Sequence, residues 1–320
     1  MGVIVRDPSD IPSGVEPGPL AILRERRRSR LLARGYDVEM ALRDAALPGR
    51  RRRRARDAQP RTESPHLALL RAPRRPAPPI PLSSEITVAT YNVHRWTGHN
   101  GRSRPDPARA GFVISELGAD LISLQEVLRP EGGDDPLEAL AEALGLHVVF
   151  AATRVHKRGE IGNAILSRWP IAGVTLLDLS YNPIEKRVAI AAQLNADGVE
   201  LDVVATHLAL ADRTRQRQVR SLLDHPRLAR TPTLLMGDMN AWRQCQATRE
   251  LETLHEHHNH QWPASFPAAS PMLALDRIYA RGLKMIAIEA HDSRAARRAS
   301  DHLPVVALVK LESQRPEIGA

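Results

Sequence analysis

Residues 234–242 read Leu-Leu-Met-Gly-Asp-Met-Asn-Ala-Trp, a short apolar run that stops at a glycine, an acid and an amide. Such a run, bounded by a turn signal, predicts a buried strand. Gly237 is expected to let the backbone turn tightly, and Asp238 and Asn240, two apart, to project to one side at the strand's end. A carboxylate and a carboxamide aimed into one space can hold a hard cation, a water and a phosphate oxygen together.

The same design, apolar strand and then polar side chain, recurs along the chain. Residues 86–91 lead into Asn92, 121–125 into Glu126, 201–206 into His207 and 273–275 into Asp276; Ser300, Asp301 and His302 precede a closing apolar run. Asn92 and Glu126 are hard oxygen ligands suited to Mg²⁺ or Mn²⁺. Asp238 could deprotonate or orient a water, and Asn240 could hold that water or a phosphoryl oxygen. His302, if protonated, could stabilise charge on a pentacovalent phosphate, given a carboxylate such as Asp276 behind it. His207 could donate a second hydrogen bond. Each residue also has a plainer reading: Asn92 or Asp301 as a cap, Glu126 as a strand end entering solvent, His207 as a core histidine.

Strands are expected over 86–91, 121–124, 146–151, 163–167, 172–178, 187–194, 200–206, 232–236, 275–280, 283–290 and 303–310. Asp197-Gly198 marks a hairpin. Helices are expected over 106–117 and 135–144, each opening with Asp-Pro, and over 212–225. Many strands and few helices imply two packed sheets with helices outside. Ahead of residue 86 the chain is rich in Arg and Pro, with short helices possible at 18–34 and 37–47, a basic run Arg50 to Arg54, and an extended linker over 72–82.

Thr90-Tyr91-Asn92-Val93, Leu124-Gln125-Glu126-Val127, Gly162-Asn163-Ala164-Ile165-Leu166-Ser167, Thr206-His207-Leu208, Gly237-Asp238-Met239-Asn240, Leu275-Asp276-Arg277-Ile278 and Ser300-Asp301-His302-Leu303-Pro304 together resemble the endonuclease/exonuclease/phosphatase superfamily. The resemblance implies a four-layered α/β/β/α sandwich of two mixed β-sheets, with the site at one end. It implies Asn92, Glu126 and Asp301 as metal positions for Mg²⁺ or Mn²⁺, Asp238 as the residue that activates water, and Asn240 as its partner. It implies His302 as a phosphate-binding histidine paired with Asp276, and His207 as a second active-site histidine. Glu160 resembles the acid that orients that histidine in the deoxyribonuclease branch, and Arg187 a phosphate-contacting arginine, each with a surface salt bridge as an equal reading. Asn163 joins Arg187, Asn240 and His302 as a substrate phosphate contact. The implied activity is metal-assisted hydrolysis of a phosphodiester, by a nuclease or a small-molecule or lipid phosphodiesterase; a protein on the same fold that binds phosphate or nucleic acid without cleaving stays open.

The resemblance divides the chain into a mostly disordered basic extension (1–85), a catalytic domain (86–311) and a tail (312–320). All of the net charge of +8 lies in the extension, with 18 Lys+Arg against 10 Asp+Glu; residues 86–320 hold 27 of each and are neutral. A neutral domain suits a small or lipid phosphodiester at least as well as DNA; the basic segment 24–75 could contact nucleic acid or an anionic membrane, with a solvated extension as its plainer reading. The chain has 41 Arg and 4 Lys, a bias that genome composition also explains. Trp262 and Phe266, before Asp276, could line a pocket or pack their loop. With one cysteine, no apolar run of membrane-spanning length and no apolar stretch near the N-terminus, the expectation is a cytoplasmic monomer without a transmembrane segment.

Overall fold

The computed structural model describes residues 17–34, 66–132, 134–181, 185–229, 232–254 and 261–312. Two sheets face each other. The first has seven strands in the order β1 (His66–Arg71), β4 (His147–His156), β5 (Gly159–Ser167), β3 (Leu121–Pro130), β2 (Glu85–Asn92), β12 (Val305–Leu311) and β11 (Leu283–Ala290). The second has five, in the order β10 (Asp276–Arg281), β9 (Thr233–Asp238), β8 (Val199–His207), β7 (Val188–Ala196) and β6 (Ile171–Asp178). Both are mixed: β2 runs parallel to β3 and β8 to β9, and the remaining neighbours are antiparallel.

Both faces of the central strands are buried, which explains their nearly continuous apolar sequences. In β12, Val305, Ala307 and Val309 point into the layer between the sheets, with Val88, Ile165, Val203, Met236 and Ile278. Val306 and Leu308 point outward beneath α2 (Pro107–Glu116) and α3 (Pro136–Leu144). Val204, Leu235 and Tyr279 do the same under α4 (Asp212–Leu223), α5 (Pro226–Ala229) and α6 (Gln246–Glu252). A last short helix, α7 (Ala296–Ala299), precedes the loop into β12. The helix starts follow the expected chemistry: Asp106 accepts from Arg109 N and Asp135 from Leu137 N, each beside a proline in the first turn. The four-layered sandwich is the fold.

Three expectations need correction. Gly237 makes no turn: it lies inside β9, paired with Arg277, and serves close approach, since a Cβ there would lie 1.9 Å from Thr206 O of β8. Glu126 does not end its strand: β3 continues to Pro130, and Glu126 (φ +52°) sits where the register with β5 shifts between Leu124 and Val127. Such a bulge re-aims a side chain that regular pleating would point elsewhere.

The third concerns the extension 1–85. His66–Arg71 is the edge strand β1, paired with β4. Residues 72–82 strap the body: Ala77 N donates to Gly145 O (2.8 Å), Arg168 and Trp169 donate to Pro78 O (2.6 Å) and Ile80 O (2.8 Å), and Leu82 is fully buried. Helix α1 (Pro19–Arg34) buries Leu23 and places Arg27 against Glu289 (2.8 Å) and His291, Arg26 against Glu85 (2.8 Å), and Arg30 against the fully buried Asp120 (2.8 Å). These arginines lie in the segment read as open to nucleic acid or membrane, and here they pair with carboxylates of the same chain. The helix expected at 37–47 and the run Arg50 to Arg54 fall outside the described residues.

Two predictions follow from this packing. Gly237→Ala must force β8 and β9 apart and is expected to lower unfolding free energy by about 3 kcal/mol, the upper range for overpacking, measured by urea denaturation. Arg27→Ala removes the ion pair to the half-buried Glu289, which keeps Arg24, and the contacts to Glu116 O and His291, which costs ~1–3 kcal/mol. The expected readout is amide exchange in α1 accelerated by about tenfold or more, with β9 and β12 amides unchanged.

Candidate active site

Strand register puts the site residues at one level. His207 of β8 and Asp276 of β10 are both register partners of Asp238 on β9. On the facing sheet, Asn92 ends β2 beside Gln125, one residue before Glu126. The loop 300–302 is tied to this level because the buried Ser300 hydroxyl donates to Asn92 O (2.6 Å).

Asp238 is the meeting point. Its Oδ1 accepts from Asn240 N (2.9 Å) and its Oδ2 from Asn92 Nδ2 (3.1 Å), a bond that crosses from one sheet to the other. His207 Nε2 and His302 Nε2 face the same Oδ2 from 3.4 and 3.7 Å. The last two distances are too long for closed hydrogen bonds between these groups. Burial pushes the Asp238 carboxyl up to about 6, with Asp276 adding to the rise and His302 opposing it.

The two histidines are held in opposite states. His302 Nδ1 donates to Asp276 Oδ2 at 2.7 Å. Burial disfavours the imidazolium, but Asp276, Asp238 and Asp301 outweigh it and raise His302 to about 10. Asp276 is itself fully buried, and its Oδ2 also accepts from Ser265 Oγ (2.6 Å). His207 is held well below the usual histidine value by burial, then by the charges of Arg187, His302 and Arg154. A guanidinium can only donate, so Arg187 Nη1, 3.4 Å from His207 Nδ1, leaves the ring proton on Nε2. His207 is therefore a neutral donor and His302 a charged one, both aimed at the space beside Asp238.

The ligand atoms of Asp238, Asp276 and His302 lie within 4.8 Å of one another, a spacing a metal could use. In this structure the 2.7 Å hydrogen bond from His302 to Asp276 joins two of the three. Asn92, Glu126 and Asp301, the residues expected to hold a hard divalent cation, lie beside that trio, and Asn92 Oδ1 accepts from His94 N (3.0 Å). Burial raises the Asp301 carboxyl, His302 and His94 lower it, and the charge of Glu126 raises it further. Two carboxylates close enough to repel are what a hard cation relieves. Two side chains of the next turn face them in this structure: Arg95 Nε is 3.3 Å from Glu126 Oε2, and His94 Nδ1 is 3.2 Å from Asp301 Oδ1.

Other expected residues are placed differently. Asn163 is buried and donates to Val188 O (2.8 Å), tying β5 to β7 just after Arg187; this favours support of that strand over phosphate contact. Asn240, left-handed at φ +49°, donates to Leu208 O (2.9 Å) and keeps its second N–H for another acceptor. The group at His207 Nδ1 is Arg187, where an acid was expected from Glu160; Glu160 lies on β5 across from Arg129 and Val155. Arg187 also pairs with Glu185 (2.7 Å), and its Nε is buried without a hydrogen-bond partner. Phe266 packs on the His302 ring (4.9 Å between centroids), whereas Trp262 packs on Tyr279.

Ser265 and the turn His94–Arg95–Trp96 are site elements that sequence reading missed, and Ser300 was noted without its role as the tie to Asn92. That turn is left-handed at three successive residues (φ +45°, +57°, +62°), a conformation non-glycine residues rarely hold in series. Trp96, fully buried and donating to Leu128 O (2.8 Å), anchors it. A tryptophan soon after a polar strand end was its one visible signal.

A family model described as "Endonuclease/Exonuclease/phosphatase family" matches residues 89–302. The Escherichia coli K12 protein YbhP, described as uncharacterized, is 30% identical over 251 residues, covering 70% of this chain and 96% of that protein. An endonuclease/exonuclease/phosphatase from Beutenbergia cavernae superposes with TM-score 0.58 at 25% identity, over 72% of each chain. The human Nocturnin catalytic domain superposes at 0.57 and 19% identity, over 71% of this chain and 94% of that one, a likeness of fold. With the family model running from ahead of Asn92 through His302, the chain belongs to the endonuclease/exonuclease/phosphatase family.

Proposed function

We propose that this protein is a divalent-metal-dependent hydrolase that cleaves a phosphodiester by direct attack of water. The observation that carries the reading is the set of donors around Asp238 Oδ2: Asn92 at 3.1 Å, neutral His207 at 3.4 Å and cationic His302 at 3.7 Å. A phosphoryl oxygen entering among these donors lies against His207 and His302 while its phosphorus stands beside a carboxylate able to take a proton. With a value near 6, Asp238 is largely ionised at neutral pH, the state a general base needs. His302, held cationic by Asp276, stabilises the charge that grows on the equatorial oxygens. Ser265 fixes Asp276, and Asn240 fixes Asp238 through its backbone N–H. Arg187 offers its buried Nε to the phosphate and, through Nη1, sets the His207 tautomer.

Asn92, Glu126 and Asp301 would hold the Mg²⁺ or Mn²⁺, whose chemistry is to neutralise charge on the phosphate and the departing oxygen. A protein that only binds phosphate gains nothing from burying the Asp238 carboxylate against its ligand, because the two charges repel. Among the described residues no helix is long and apolar enough to cross a membrane, and the cytoplasmic location read from composition goes with this proposal.

The test is hydrolysis of bis(p-nitrophenyl) phosphate with Mg²⁺ or Mn²⁺. Asp238→Ala is expected to lower kcat by roughly 10²–10⁴, the range for a lost general base, and His302→Ala by roughly 10²–10³, as for a lost oxyanion donor. EDTA should abolish turnover, and added metal should restore it. Wild-type rates no higher than those of Asp238→Ala in either metal would sink the reading.

A further inference from the structure

Nine large apolar side chains are exposed among the described residues, and the three most exposed are Met272 (73%), Leu210 (66%) and Trp242 (55%). All three stand next to the site in sequence: Leu210 follows His207, Trp242 follows Asn240, and Met272 precedes Asp276. They belong to three different loops, which buried arginines bind into one rim. Arg215, wholly buried, donates to Ala209 O, Leu210 O and Asn240 O at 2.8–2.9 Å. Arg277 donates to Ala274 O and Ala241 O at 3.2 and 3.3 Å. Monomeric proteins rarely gather their most exposed apolar groups around one mouth unless something covers them.

Across the site from this rim is the β4–β5 hairpin. Its tip exposes Arg154, Val155, Lys157 and Arg158, and Val155 is another of the nine. His156 is held below its usual value by burial and then by the charges of Arg158, Arg95, Lys157 and Arg154. These cations thus share one region, and it reaches the site, because Arg95 faces Glu126 and the charge of Arg154 bears on His207.

We propose that this end of the molecule docks on an anionic lipid surface, with Leu210, Trp242 and Met272 inserted among the headgroups and the β4–β5 hairpin against their charge. The substrate is then a phosphodiester presented at a lipid–water interface, a conclusion that rests on the phosphoesterase reading above. Apolar side chains backed by cations are what interfacial binding requires. A nucleic-acid strand fits the rim less well. Stacking on bases needs aromatic faces, Leu210 and Met272 have none, and the Trp242 ring lies under the Arg243 guanidinium at 4.9 Å.

The experiment is flotation of the full chain, in EDTA, with vesicles of phosphatidylcholine alone or mixed with phosphatidylglycerol. Wild type is expected to float with the mixed vesicles, and the Leu210→Ser/Trp242→Ser/Met272→Ser variant to partition at least about tenfold less. Lys157→Glu/Arg158→Glu should lose most of the preference for phosphatidylglycerol. Both variants should keep wild-type turnover of soluble bis(p-nitrophenyl) phosphate, because none of these residues touches the site. Equal flotation of wild type and the triple variant, or no flotation of wild type, overturns the proposal. So does binding of a DNA oligonucleotide that the triple variant loses without any vesicle binding, which would assign the rim to nucleic acid. Intact flotation with no turnover of the soluble ester would overturn the phosphoesterase reading and leave the docking surface standing.

Discussion

A carboxylate held out of water where two sheets meet is the constraint around which the rest of the structure is arranged. An ionised Asp238 in that position costs on the order of several kcal/mol unless its charge is compensated. The compensation comes from four places in the chain: Asn92 across the gap between the sheets, the Asn240 backbone one turn on, His207 on the neighbouring strand, and His302 on the loop before β12. Only a fold that ends several strands at one level can supply all four. The parallel pairings β2–β3 and β8–β9 do this, because parallel neighbours end on the same side of the sheet.

The same constraint explains why the two histidines differ. A second cation beside Asp238 would compete with His302, so one imidazole must stay neutral. Asp276 behind His302 holds it charged by attraction, while burial keeps His207 neutral and the repulsion of Arg187 adds to it. Electrostatics of this kind is fixed by what lies behind each ring, since both rings face the same oxygen. The glycine at 237 belongs to this arrangement: it lets β9 approach β8 closely enough for Asp238 and His207 to share one level.

Much of this was legible in the sequence, for physical reasons that also mark where legibility stopped. Strands buried on both faces announce themselves as apolar runs, and the polar residue ending each run is conspicuous, so Asn92, His207, Asp238 and Asp276 could be found. Glu126 was visible as a residue, but its bulge was not, because register shifts depend on the partner strand. His94 and Arg95 carry no periodic signal; their left-handed turn is imposed by the Trp96 anchor. The roles open to Arg187 and Glu160 could not be separated from sequence, since which of them faces His207 Nδ1 depends on how β5, β7 and β8 are brought together.

Helix α1 shows where reasoning from composition misleads. Its arginines look like an electrostatic footprint for a polyanion, and a search for apolar periodicity finds little in Pro-Leu-Ala-Ile-Leu-Arg-Glu-Arg-Arg-Arg. The helix docks through a different interaction: Arg26, Arg27 and Arg30 reach Glu85, Glu289 and Asp120, carboxylates that lie 59, 262 and 90 residues further on. Glu289 and Asp120 belong to residues 86–320, which are formally neutral, so part of that balance of charge is local excess that α1 cancels. Net charge per segment therefore overstates what α1 leaves unpaired, because three of its arginines meet carboxylates of the same chain. What distinguishes a docking surface is charge left facing solvent, and that criterion turns attention from α1 to the exposed tip of the β4–β5 hairpin beside the site.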